Sequence, residues 1–258
     1  MGLIERLKQR RHEHAIAKHK KAIKNKYGQG EDRQKAIEFF SKLGGQDGYE
    51  GLLERFMVNV EPSIRDEEEK QQVYEILVGC GADVIPAIEK YINRRDSATV
   101  PITWPLKVLD AVATTDQAVK VIVAALRKMG TEYVREPERK VLLVAQLAEY
   151  DHPDVVPNLI PFLQDHRDEV RLEALSALVN KADEQAREPM LQLLVDEDTP
   201  VRLRAAVAEA LMKLGWTVKG YRKKVEAVLP EGLSVDRGGH IRGRWKFAPQ
   251  QQEEAGIG

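Results

Sequence analysis

DEVRLEALSAL, running from Asp168 to Leu178, and TPVRLRAAVAEAL, running from Thr199 to Leu211, superpose without a gap. Val170 falls on Val201, Arg171 on Arg202, Leu172 on Leu203, Ala174 on Ala205 and Ala177 on Ala208, each pair 31 residues apart. In both stretches the apolar residues recur three and four positions apart, which draws one stripe down a helix of 3.6 residues per turn. The small side chains of Ala174, Ala177, Ala205 and Ala208 let a neighbouring helix come close. Thr199 followed by Pro200 predicts a helix start, with a hydroxyl to cap free amides and a proline suited to the first helical position.

Between the two stretches lies a second predicted helix, REPMLQLLVD, with Pro189 near its start. The same element precedes the first stretch as DVVPNLIPFLQD, with Pro157, and occurs earlier as ADVIPAIEKYI, with Pro86. The unit is therefore a helix, a short turn, a proline-started helix and an Asp-rich turn such as DHRDE (165–169) or DEDT (196–199). Neither helix buries its stripe alone, so units of this kind must stack. Longer, less regular units are expected upstream at about 31–59, 66–94, 101–130 and 136–164.

The segments VRLEALSAL and DTPVRLRAAVAEALMKLG resemble bacterial HEAT repeats of the kind grouped with phycobilisome-lyase-type repeats. That resemblance is specific over about 154–215; the upstream units lack the Val-Arg pair. It implies an all-α fold, an α-solenoid of about five to six helix pairs, with second helices on the concave side. It also implies an Asp/Arg ladder between successive turns, for which Asp168, Arg171, Asp198 and Arg202 occupy the matching places. The chain is expected to divide into a basic N-terminal helix (1–30), the repeats (31–216), a basic C-terminal cap (217–247) and a disordered tail (248–258). In the cap, Leu233, Val235, Ile241 and Trp245 flank Gly238 and Gly239, which read as a two-residue hairpin turn.

With 258 residues, 43% hydrophobic and 31% charged, the chain has enough apolar material for a sizeable core. Cys80 is the sole cysteine, which excludes an intrachain disulfide and any cysteine-built zinc site, and favours a reducing, cytoplasmic setting. Neither a signal sequence nor a membrane-spanning run of about 18 apolar residues is expected. Gly2 follows Met1 as in a myristoylation signal, but Arg6 stands where that signal wants Ser or Thr.

Net charge is −1, unevenly spread. Residues 1–27 carry nine Lys/Arg against two Glu, residues 217–247 carry eight against three acids, and the middle is strongly acidic. Such polarity bears on partners rather than on fold. Candidate contacts for an anionic partner are Arg10, Arg11, Lys18, Lys20, Lys21 and Lys24 at one end, and Arg222, Lys223, Lys224, Arg242, Arg244 and Lys246 at the other. The N-terminal helix could meet an anionic lipid surface with Leu3, Ile4 and Leu7, a nucleic acid, an acidic partner, or the acidic middle of its own chain.

No phosphate loop, dinucleotide glycine pattern, nucleophile elbow or His-Glu-x-x-His helix occurs. His12, His14 and His19 lack metal-ligand spacing, and the acidic runs 66–69 and 196–198 lack the spaced oxygens of a calcium loop. Trp104 and Asp110 resemble the tryptophan and catalytic aspartate of HEAT-like DNA glycosylases, but the acidic middle of the chain is a poor groove for DNA. The expectation is a non-catalytic adaptor without metal or cofactor, binding a protein partner on its repeat surface, with nucleic acid or an anionic membrane as the alternatives.

Overall fold

The computed structural model describes residues 3–94 and 101–244; side chains are described from Glu5 onward. The chain forms two compact units, one of residues 1–130 with 134–152, the other of 131–133 with 153–258. Both are helical, apart from one two-stranded ribbon near the C-terminal end of the described chain.

The first unit holds α1 (Leu3–Ile23), α2 (Gly30–Leu43), α3 (Gly45–Leu53), α4 (Ser63–Gly79), α5 (Ile85–Ile92), α6 (Thr103–Val112), α7 (Thr115–Met129) and α8 (Glu138–Glu149). Their packing follows the helix-pair plan. Helices α1, α3, α5 and α7 lie side by side in one layer, while α2, α4 and α6 form the other. Between the layers the apolar stripes close on one another: Ile37 and Phe40 of α2, Leu52 and Leu53 of α3, Val73 and Leu77 of α4 and Ile88 of α5 are all buried. Each such side chain contributes roughly 1.5–3 kcal/mol of transfer free energy.

The N-terminal helix is not a separate arm. Ile16, His19, Lys20 and Ile23 of α1, spaced three and four apart, face α2 and α3, and Ile23 is fully buried. The His19 ring stacks on Phe39 at 4.0 Å, so this histidine is a packing residue. Helix α1 thus extends the α3/α5/α7 layer and covers the open end of the stack, a role that demands burial along one short stripe only. From Glu5 to His14 every side chain is exposed.

Local signals fix several helix ends. Thr114 accepts from the Gln117 amide (3.3 Å) while the Gln117 side chain accepts from the Thr114 amide (3.0 Å), a reciprocal cap that starts α7. Its other end stops at Gly130, at φ +60°, a left-handed value that suits glycine. Helices α2 and α3 cross in close contact at Gly51, where the Phe40 ring lies against the glycine.

The second unit contains α9 (Val155–Leu159), which runs on as a 3-10 turn through Gln164, then α10 (Asp168–Lys181), α11 (Arg187–Val195), α12 (Val201–Leu214), α13 (Arg222–Val228), β1 (Leu233–Val235) and β2 (Ile241–Gly243). Helices α10 and α12 pack together in one layer, and the 160–164 turn, α11 and α13 follow one another in the second. This is the helix-pair stacking of a solenoid, with Ala174, Ala177, Ala205 and Ala208 buried at the close approaches, as their spacing predicts.

Two details of this unit differ from the sequence reading. The Thr199 hydroxyl does not cap α12: the helix begins after Pro200, and Thr199 Oγ1 turns back to Asp196 Oδ2 at 3.4 Å. The ribbon turn is longer than two residues. Asp236 and His240 close it, the Gly239 amide donates to the Asp236 carbonyl, and only Gly239 has a positive φ (+85°). A three-residue loop results, with a single glycine in the left-handed region, because the Asp236 carboxylate holds the His240 amide at 2.9 Å. The expected tail 248–258, together with Trp245 and Lys246, lies outside the described residues.

Candidate interaction surfaces

Three helices of the first unit place i, i+4 charge pairs in register. Lys20 and Lys24 of α1 face Glu50 and Glu54, and these in turn face Lys90 of α5 and Arg94 just beyond it. Glu54 is nearly buried, with Lys24 Nζ at 2.8 Å from one oxygen and Arg94 Nη1 at 2.7 Å from the other. Glu50 receives Lys90 at 2.7 Å and Lys20 at 3.8 Å. A cleft of about 290 Å³ opens along this array, floored by Leu53, Ala87 and Tyr91. Lys90, 68% exposed in its side chain, stands at the rim.

This arrangement settles part of the N-terminal helix. Lys20 and Lys24, two of the residues expected to meet an anionic partner, pair with carboxylates of their own chain, as does His12 with Asp47 at 4.0 Å. Arg10, Arg11, Lys18 and Lys21 remain exposed. The side chains of Leu3 and Ile4, expected at a lipid surface, lie outside the described ones; Leu7 is 51% exposed.

Behind the same layers sits an ion network that sequence reading missed. Arg33, Arg55, Asp66, Glu69 and Lys70 are all buried. Glu69 takes Arg33 in a two-pronged bond and Arg55 Nε at 2.8 Å; Asp66 takes Arg55 Nη2 at 2.7 Å and Lys70 Nζ at 2.6 Å. Burial raises the pKa of both carboxyls, but the hydrogen bonds outweigh it, from Arg33 and Arg55 on Glu69 and from Lys70 and Arg55 on Asp66, so both end below the ordinary range. The one available signal was the i, i+4 spacing of Asp66 and Lys70, inside a run that reads as a solvated helix start.

Trp104 belongs to packing. Its ring is parallel to Phe56 at 5.6 Å and meets Tyr74 edge-on at 6.0 Å, with Lys107 Nζ 4.4 Å above it. Asp110 lies six residues on, about 120° away around the helix, and accepts hydrogen bonds from Gln146 of α8 and the Tyr150 hydroxyl. The two side chains are held by different neighbours, Trp104 by Phe56 and Tyr74 and Asp110 by Gln146 and Tyr150.

In the second unit the ladder residues fall differently from the expected set. Asp168 pairs with Arg171 at 3.5 Å within α10 itself. The aspartates at the turns are Asp165 and Asp196, 31 residues apart: Asp165 Oδ1 accepts from the Arg167 amide (2.9 Å) and Asp196 Oδ1 from the Asp198 amide (3.2 Å). Arg171 Nε then donates to the Asp165 carbonyl at 2.7 Å. In the next repeat that bond comes from Arg204, whose Nη2 reaches the Asp196 carbonyl at 2.9 Å, while Arg202 points outward, exposed. Asp198 contributes its amide to the turn.

At the C-terminal cap, Arg222 pairs with Glu226 at 2.8 Å and Arg242 with Asp236 at 3.1 Å, while Lys223, Lys224 and Arg244 are exposed. The Asp236 carboxyl is held down to about 2, first by the His240 amide and then by Arg242. Among the described residues no group of three or more His, Cys, Asp or Glu could hold a metal ion, and no helix is long and apolar enough to cross a membrane.

Similarity to known proteins bears mainly on the C-terminal half. No match is found among curated proteins. Among solved structures, human deoxyhypusine hydroxylase in complex with glycerol is similar at 14% identity and a TM-score of 0.30, over 86% of this chain and 90% of that one. A likeness of that score bears no weight on chemistry. A family model described as HEAT repeats matches residues 135–212 and 156–229. The stretch from 135 to 229, with its helix pairs and its turns repeated at 31 residues, is thus similar to HEAT repeats.

Proposed function

We propose that the chain is a non-catalytic scaffold that binds another protein on the α1/α3/α5 face of its first unit. One observation carries this reading: the charge array from Lys20 and Lys24 through Glu50 and Glu54 to Lys90 and Arg94 holds long side chains in fixed places around a cleft. Side chains already ordered by ion pairs lose little freedom when a partner arrives, so the surface is prepared for association. The similarity of residues 135–229 to HEAT repeats supports the same view, because stacked repeats give extended surfaces for macromolecules. Charge at the rim of such a face governs partner choice and encounter rate more than affinity.

The experiment is affinity capture with the tagged full chain beside Lys90→Glu, which reverses the most exposed member of the array. A protein retained by the wild type and lost by Lys90→Glu supports the proposal. Equal capture by both chains, or catalytic turnover of a small molecule by the purified chain, removes it.

A further inference from the structure

The β1–β2 ribbon has one covered face and one bare one. Leu233, Val235 and Ile241 turn towards α12 and α13, with Ile241 buried. On the other face Ser234 and Arg242 stand opposite each other, exposed, and Arg244 follows two residues along the same edge. Arg237 is exposed at the tip of the turn. Helix α13 is tied alongside: Arg222 Nη2 donates to the Val235 carbonyl at 3.3 Å, which places the exposed Lys223 and Lys224 next to the ribbon.

Residues 217–244 hold seven Lys/Arg against three acids, on a chain whose net charge is −1. Two of the cations are matched, Arg222 by Glu226 and Arg242 by Asp236. Among the described residues, Lys219, Lys223, Lys224, Arg237 and Arg244 make no ion pair. These unmatched cations are spread over the segment before α13, α13 itself, the ribbon turn and the residue after β2, and an excess of positive charge on one cap favours a polyanion.

We infer that this cap binds duplex DNA, with the bare ribbon face in the major groove and the α13 lysines on the flanking phosphates. The B-form major groove, about 12 Å wide, admits a two-stranded ribbon, and arginines on its outer face reach both phosphates and base edges there. The A-form groove of an RNA duplex is too deep and narrow for the same fit. A lipid surface fits less well, because none of the exposed large apolar side chains lies between 217 and 244 to enter the bilayer boundary. The inference stands apart from the scaffold reading, since it uses the other unit.

The test is fluorescence anisotropy of the full chain on a labelled mixed-sequence DNA duplex over a range of salt. With about five phosphates neutralised, log K should fall against log salt with a slope of about −4.5. The variant Lys223→Gln/Lys224→Gln/Arg237→Gln/Arg244→Gln should weaken binding at least tenfold and flatten the slope, while Arg10→Gln/Arg11→Gln leaves both unchanged. Lys223→Gln and Lys224→Gln, made singly at exposed helix positions, should each lower the slope by about one and serve if the fourfold variant does not fold. Salt-insensitive or absent binding, unchanged binding by the cap variants, equal affinity for an RNA duplex, or retention on anionic vesicles without DNA binding would each overturn the inference.

Discussion

Glu69 of α4 grips Arg33 of α2 with both oxygens, Nε and Nη2 each at 2.9 Å, in a region where both side chains are buried. The same carboxylate also holds Arg55 at 2.8 Å, and Arg55 has a second carboxylate, Asp66, at 2.7 Å. Glu69→Ala therefore strands Arg33 and leaves Arg55 with Asp66 alone, and breaking a buried pair from one side costs about 3–5 kcal/mol. Urea or thermal denaturation of the variant should show a loss of at least that size. A change below about 1 kcal/mol would mean that water or a rearranged neighbour replaces the carboxylate.

Acid should act on the same network. Glu69 and Asp66 have folded pKa values below their unfolded ones, which lie near 4, so the unfolded chain takes up protons first as pH falls. The stabilisation they give is complete above about pH 5 and is lost as pH drops through about 4 towards the lowered folded values. A urea midpoint that is level from about pH 7 to 5 and then declines is expected, with a shallower decline in Asp66→Asn/Glu69→Gln. The same decline in both proteins would assign acid lability to other groups.

What the sequence revealed and what it hid divide along physical lines. The paired helices were legible because burial of a stripe imposes a period, and Ala174, Ala177, Ala205 and Ala208 mark the contacts by their size. The role of α1 was hidden because the end helix of a stack needs only Ile16, His19 and Ile23 on one side, too faint a stripe to separate from a solvated helix. Ion networks escaped for another reason. Arg33 and Glu69 are 36 residues apart, and nothing in a charged residue's identity says whether its partner is water or a distant helix. The Glu50–Lys90 and Glu54–Arg94 pairs, each 40 residues apart, share that silence. Of the expected ladder Arg171 reaches its turn carbonyl, whereas Arg204 rather than Arg202 does so in the next repeat, because alignment ranks residues by motif and the geometry favours whichever side chain reaches the turn.

The repeat turns offer a paired comparison. Asp165 is fully buried and caps the Arg167 amide, so Asp165→Ala removes a buried acceptor and should destabilise by about 1–3 kcal/mol. Asp168→Ala, at a half-exposed pair within α10, should stay within about 0.5 kcal/mol. By the same reasoning Arg204→Ala should exceed Arg202→Ala. Four melting curves decide the matter, and an inverted order in either pair would restore the motif-matched residues as the structural ladder.

Glycine spacing at the α2–α3 crossing gives the sharpest steric prediction. A Cβ at Gly51 would lie 2.2 Å from Phe40 Cδ1 and 2.3 Å from Cε1, on a ring that is itself wholly buried. Relief must come from separating the helices, and overpacking of this kind costs typically about 1–3 kcal/mol, occasionally more. Gly79→Ala supplies the contrast: it stands in the last turn of α4 with nothing within 4 Å of the added carbon and no positive φ. Alanine there should leave stability unchanged or raise it slightly through helix propensity. Chemical denaturation of both variants separates steric from conformational effects, because a uniform intolerance of glycine replacement would make the two midpoints fall together, whereas close packing of Gly51 on Phe40 requires that only the first does.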